Sequence, residues 1–236
     1  MARYILVHGA SHAGWCWDRV ATRLEAAGHD VIAPDLPAHG ADKTAKSQVT
    51  LASYIGHIVS ILDAVPGKSI LVGHSMGGLT IAGATEARPD KVERLIYVTA
   101  YAPVDGDSVG SILYADPSSK VPAATEVVED GTCVVVAEHA VADIFYNDCT
   151  PADVSDAKSK LEPEPGGPLG ETVALTEARH GRVPRAFIGC LIDHCIAFAY
   201  QKDIAKRAGC TWLGDLEAGH SPFLSKPDEL AALLAS

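Results

Sequence analysis

The stretch 70-ILVGHSMGGLT-80 sets one serine, Ser75, among glycines at 73, 77 and 78, where an apolar run gives way to a helical pattern. G-x-S-x-G between a strand and a helix is a nucleophile elbow. The turn strains the serine backbone, and glycines on either side let neighbouring chain pass without a Cβ clash. Ser75 Oγ is thereby expected to stand clear at the end of a strand, with Met76 N–H at a helix start. A serine presented in this way is useful only if a base, an acid and a second amide donor lie elsewhere in the chain.

Working outward, strand and helix patterns alternate. "RYILVHG" reads as a buried strand and "WCWDRVATRLEAAGH" as a helix stopped by Gly28. "DVIAPDLPAHG" is a strand and turn, with Asp35 as a turn former. "TLASYIGHIVSILDAVPG" repeats the helical period through Leu51, Ile55, Ile58 and Leu62. "SILVGHS", "GGLTIAGATEARPDKV" and "RLIYVTAYAP" continue as strand, helix and strand. The alternation predicts an α/β fold, a parallel sheet covered by helices on both faces. From 102 to 183 the rhythm gives way to turn-rich pieces such as "LEPEPGGPLG". That stretch is read as a cap inserted into a core formed by 1–101 and 184–236. The pattern then resumes with "PRAFIGCLID", "AFAYQKDIAKRAGC", "TWLGDL" and "DELAALLA".

The partners that Ser75 needs are present. A hydroxyl is a weak nucleophile until a base takes its proton. His220, in "LEAGHSPFLSKP", follows the last predicted strand. Its imidazole needs an acid to fix its tautomer. Asp193 is expected to end the strand "FIGCLID", ahead of the weaker candidates Asp215 and Asp203. The order Ser75, Asp193, His220 is the one this architecture uses. An oxyanion hole would pair Met76 N–H with Ala10 N–H, in the loop "VHGASHAGW" that Gly9 keeps open. Gly9, Ser11 and His12 beside that loop, with Tyr114, Phe145 and Tyr146 in the cap, are the candidate substrate contacts, although cap folding explains the three aromatics equally well. His74 reads as a packing residue, and Trp15 and Trp17 as anchors of the first helix.

Composition narrows the classes. The chain has 236 residues, 47% hydrophobic and 21% charged, enough for a full core. Net charge is −11 with no basic cluster, which argues against nucleic acid or an anionic membrane as partner. No apolar run reaches the ~18 residues of a membrane span. Six cysteines without a C-x-x-C pair, and no secretion signal, point to reduced thiols in the cytoplasm. Ten histidines invite a metal reading, but H-E-x-x-H is absent. Neither a metal nor a cofactor is therefore expected.

The segments "LVHGASHAGWCW", "GHSMGG", "FYND", Asp193 to Gln201 and "AGHSPFLSKP" resemble the α/β-hydrolase superfamily over essentially the whole chain. More narrowly they resemble its small-esterase, plant methyl esterase and hydroxynitrile lyase group. The resemblance implies a six-stranded, mostly parallel sheet lacking two N-terminal strands, with a cap between the sixth and seventh standard strands. It also separates chemistries. Lyases of the rubber-tree type carry Thr where this chain has Gly9, and Lys after the catalytic histidine where it has Ser221. The expected activity is hydrolysis of a small, largely apolar carboxylic ester by a Ser–His–Asp acyl-enzyme route, in a monomer or homodimer. The alternatives are lyase or carbon–carbon hydrolase chemistry on the same triad, or a ligand-binding receptor.

Overall fold

The computed structural model describes residues 1–236. Six strands form the main sheet: β1 (Arg3–Val7), β2 (Asp30–Ile32), β3 (Ser69–Ser75), β4 (Val92–Ala100), β8 (Arg185–Cys190) and β9 (Thr211–Leu216). Their order is β2-β1-β3-β4-β8-β9, and every pairing is parallel. Burial alternates across the sheet. Tyr4, Leu6, Ile70, Val72, Ile96, Val98 and Ile188 point into the core on one face, and Ile5, Val7, Leu71, Leu95, Tyr97 and Phe187 into the core on the other. Both faces are therefore dry, which is why these strands read as unbroken apolar runs. Each fully buried large side chain contributes about 1.5–3 kcal/mol.

Helices α1 (Asp18–Ala26), α2 (Leu51–Ala64) and α3 (Gly77–Ala87) link the first strands. The helix expected from Trp15 begins instead at Asp18, after a 3₁₀ turn over Gly14–Trp17. Gly14 N–H donates to Asp35 Oδ1 (2.8 Å), so this stretch is fastened to the loop after β2 before a helix can start. The third expected helix stops at Ala87, because Pro89 bars further turns. Residues 77–85 of α3 are all buried, fitting a helix wedged between the sheet and α2 rather than a surface one. α2 starts with a reciprocal Thr50–Ser53 capping box.

Between β4 and β8 lie the short helices α4 (Val109–Leu113), α5 (Val121–Ala124), α6 (Glu138–Phe145), α7 (Pro151–Lys158) and α8 (Gly167–Gly170). A second sheet accompanies them: β5 (Thr125–Val128), β6 (Cys133–Val136) and β7 (Glu164–Pro165), antiparallel in the order β5-β6-β7. α9 (Phe198–Arg207) follows β8, and α10 (Pro222–Ser225) and α11 (Pro227–Leu234) close the chain. No helix is long and apolar enough to cross a membrane.

Candidate active site

Ser75 ends β3 with φ +51°, in the left-handed region that a residue bearing a Cβ rarely enters. Such strain costs on the order of 1–3 kcal/mol and persists only where the surroundings enforce it. The enforcement is visible. A Cβ at Gly77 would lie 2.6 Å from His8 O, and one at Gly73 2.9 Å from Gly77 O, so the elbow closes only with glycine at both positions. Ser75 Oγ makes no hydrogen bond inside the protein and faces a cavity of about 320 Å³.

Asp193 does not end the strand as expected. β8 stops at Cys190, and the carboxylate sits three residues further on, in a turn. Its Oδ1 accepts from Cys195 N–H (2.6 Å) and Ile196 N–H (3.0 Å), so the turn's own backbone fixes it. Oδ2 accepts from Thr99 Oγ1 (2.5 Å) and His220 Nδ1 (2.7 Å). That last bond puts the proton on Nδ1 and leaves His220 Nε2 as the free base. Ser75 and His220 form no direct hydrogen bond here, and such bonds often tighten only around substrate. They are brought together through His74, whose Nε2–H donates to His220 O (2.7 Å) with ring centroids 4.6 Å apart. Burial and the neighbouring His220 push the His74 pKa well down, so it stays neutral, a packing and tethering residue. Asp215 accepts from Trp212 Nε1–H at the surface (2.7 Å), away from this group. Asp193, Cys195 and His220 offer ligand atoms within 4.8 Å of one another, but the Asp193 oxygens each already accept two hydrogen bonds.

The loop after β1 is fastened at nearly every polar group. His8 Nδ1–H donates to Gly9 O (2.8 Å) while its Nε2 accepts from Leu36 N–H (3.0 Å). His12 Nδ1–H donates to Ala10 O (2.8 Å) while its Nε2 accepts from Tyr146 Oη (2.7 Å). Ser11, at φ +63°, donates its N–H to Glu164 Oε2 (2.7 Å) and accepts from Glu162 N–H (3.0 Å). The N–H groups of Ala10 and Met76 remain without a protein acceptor, and both residues border the Ser75 cavity. Burial holds His8 well below its ordinary pKa and His12 at about 4, so both rings keep these single-proton roles at neutral pH.

The candidate substrate contacts divide. Ser11, Tyr114 and Phe145 line the Ser75 cavity. Tyr146 and His12 do not. Their polar atoms are spent on one another and on Ala10 O, so they brace the loop instead. Gly9 does not border the cavity either; a Cβ there would lie 2.8 Å from Ser75 Cβ and 2.9 Å from His74 Nδ1, so the position is kept clear for the nucleophile. Neither tryptophan reaches the cavity; Trp17 is buried and Trp15 stacks on His12. The rest of the wall is mostly aliphatic, including Val109, Leu113, Val134 and Leu169, and Glu164 is its one charged residue. A larger open groove of about 1170 Å³ is lined by α6 and α7 and shares Ser11, Val135, Val136 and Phe145 with the cavity. Sequence reasoning missed Thr99, His8, Glu164 and Asn147, whose Nδ2–H donates to Ile192 O (2.8 Å) beside Asp193. Only Asn147, inside "FYND", carried any local signal.

Residues 4–233 match the model of a family described as "Alpha/beta hydrolase family". The chain is 31% identical to methylesterase 7 of Arabidopsis thaliana over 98% of this chain and 94% of that one. It is 32% identical to a pyrethroid hydrolase of Sphingobium wenxiniae, over 98% and 85% respectively. The crystal structure of a pyrethroid hydrolase from Sphingobium faniae superposes with a TM-score of 0.87 at 30% identity, covering 99% of this chain and 96% of that one. A sheet of this order, a strained serine at the end of β3 and relatives matched over most of their length lead to one assignment: the chain belongs to the alpha/beta hydrolase family, in the group that includes the plant methylesterases.

Proposed function

We propose that this carboxylic ester hydrolase is a serine esterase for small, largely apolar esters. Ser75 Oγ attacks the ester carbonyl as His220 Nε2 takes its proton, and Asp193 stabilises the imidazolium. The oxyanion is received by Ala10 and Met76 N–H. His220 then protonates the leaving alcohol, and water, activated by the same nitrogen, releases the acid. Residues 102–183 act as the cap, supplying most of the apolar wall. The single observation that carries the reading is the pairing of His220 with a four-times hydrogen-bonded Asp193 beside a strained, unpartnered serine. Six free thiols suit a reducing compartment such as the cytoplasm.

Ser75→Ala is expected to lower kcat on p-nitrophenyl acetate or butyrate by about 10³-fold or more with an unchanged melting temperature. A fluorophosphonate probe should label the parent protein and leave the variant unlabelled. Near-normal turnover by a folded Ser75→Ala protein would overturn the mechanism.

A further inference from the structure

Glu164 is a carboxylate 1% exposed to solvent, at the edge of an otherwise uncharged cavity. It comes from β7 in the insertion, yet its partners belong to the core. Oε2 accepts from Ser11 N–H (2.7 Å) and His39 Nε2 (3.0 Å), and Oε1 accepts from Tyr54 Oη (3.0 Å). His39 is itself fully buried, with Nδ1 facing Pro37 O at 3.1 Å. Acceptors stand at both ring nitrogens, so the ring that satisfies them carries two protons and a positive charge. Burial opposes that charge, but the hydrogen bond and negative charge of Glu164 outweigh it and raise the His39 pKa. The result is a buried ion pair with its remaining polar contacts filled. Removing one member of such a pair is far more disruptive than the pair is stabilising.

The stability of the fold does not explain why this pair meets Ser11. Ser11 has a positive φ, a conformation disfavoured for a side-chain-bearing residue, and it directly follows the proposed oxyanion donor Ala10. The peptide plane between Ala10 and Ser11 swings unless its C=O and N–H are both held, and here His12 Nδ1–H holds Ala10 O (2.8 Å) while Glu164 Oε2 holds Ser11 N–H (2.7 Å); Glu162 N–H then fixes the next plane at Ser11 O (3.0 Å). An amide that must point at a developing oxyanion gains its effect from being fixed before the charge appears.

We propose that Glu164, backed by His39 and Tyr54, is a positioning residue that locks the Ser11 turn and so aims Ala10 N–H at the oxyanion. The proposal rests on the serine-esterase reading above, and the experiment separates the two. Glu164→Gln keeps an acceptor oxygen at full reach and removes the charge; Glu164→Asp keeps the charge and withdraws it by one methylene. With p-nitrophenyl butyrate, Glu164→Asp is expected to lose at least tenfold in kcat with KM within threefold. Glu164→Gln removes the counter-charge of buried His39 and replaces one acceptor oxygen by a donor, and should lose at least threefold in kcat, again with KM within threefold. Affinity for a trifluoromethyl ketone, which forms a tetrahedral adduct on serine, should fall in Glu164→Asp by about the same factor as kcat/KM. Fluorophosphonate labelling of Ser75 should persist in both variants, more slowly in Glu164→Asp. A folded Glu164→Gln protein with parental kcat would overturn the proposal. So would a folded Glu164→Asp protein with parental kcat, or a loss confined to KM. Failure of the parent protein to label or to turn over esters would instead sink the esterase reading.

Discussion

The two sheets of this molecule hold their residues in different ways. In the parallel sheet both faces are buried, β3 pairs in unbroken register with β1 from Ile70 to Gly73 and with β4 from Ile70 to His74, with a shift at Ser75, and Ser75 is placed by backbone geometry. In the three-stranded sheet β5 is largely exposed, Val127 stands 69% in solvent, and β7 spans two residues. What this small sheet contributes to the site is apolar wall from Val134, Val135 and Val136 and the buried polar contacts of Glu164. A site built from both inherits rigidity from one and adjustability from the other. Substitutions in the first should act on the fold or the nucleophile outright, and those in the second should grade the rate.

The hardest test of the backbone-defined side is Gly9→Thr, the change that would bring the loop toward the lyase pattern. The new Cβ would fall 2.8 Å from Ser75 Cβ, inside normal contact. Overpacking of this kind costs about 1–3 kcal/mol, and here the atom displaced is next to the nucleophile. Ester turnover is expected to drop at least ~100-fold. Adding Ser221→Lys should not yield cyanohydrin cleavage. Ser221 is fully buried and does not border the cavity, so a lysine there would strain the core before its charge reached the substrate. Mandelonitrile breakdown above the buffer rate, by the parent or by the double variant, would break the argument.

How much of this was legible in the sequence follows the same division. The elbow was readable because G-x-S-x-G is a local requirement: Gly73, Ser75 and Gly77 meet one another within five residues. The strands were readable because both faces are buried. His220 was readable from its place after the last strand, and Asp193 nearly so; its turn past Cys190 is set by bonds from Cys195 and Ile196 that no periodicity announces. The insertion has no such period. "EPEP" reads as a turn, and nothing in it tells that Glu164 will meet Ser11, 153 positions away. The place of Tyr146 was illegible for a related reason. An aromatic in a cap can face the cavity or the core equally well, and here His12 claimed its hydroxyl.

Stability should show the same contrast. Leu95, fully buried in β4, has no room to collapse, and Leu95→Ala is expected to cost about 2–5 kcal/mol. Val127→Ala in β5 should stay within about 0.5 kcal/mol. Urea unfolding of the two variants measures the difference directly. Comparable losses would mean that the small sheet is as firmly integrated as the large one.

Acid should act mainly at the buried histidines. Burial lowers the pKa values of His8, His12, His74 and His180, to about 4 for His12 and His180. In the unfolded chain these rings take protons near ~6.5. The unfolded state therefore binds more protons between roughly pH 6.5 and 4, and stability falls as pH falls through that window. His12 alone accounts for about 3 kcal/mol across it. His39 has the opposite sign: its raised pKa stabilises the fold fully below the unfolded value near ~6.5, and that contribution fades as pH rises through the folded value. Melting temperature should accordingly drop steeply from pH 6.5 to 4.5 and decline more gently on the alkaline side. A flat profile below pH 6 would contradict the neutral, single-proton roles given to His8 and His12.

The smallest expected effect is at the cavity mouth. Tyr114, at the end of α4, borders the Ser75 cavity but is 75% exposed and bonds nothing through its hydroxyl. It can offer only partial aromatic contact, worth up to about 1 kcal/mol. Phe145 lies deeper in the same wall, 93% buried, with its ring stacked 6.0 Å from His220. Tyr114→Ala should therefore raise KM about two- to fivefold for hexanoate and octanoate p-nitrophenyl esters, leaving acetate and kcat unchanged. Phe145→Ala should lower kcat for every chain length, because it loosens the base itself. If Tyr114→Ala depressed kcat for acetate as strongly as Phe145→Ala, the mouth would be part of the reacting geometry. The mouth would then belong with Phe145 and Glu164, the residues of the insertion that touch the reacting groups or their supports, and would do more than shape access.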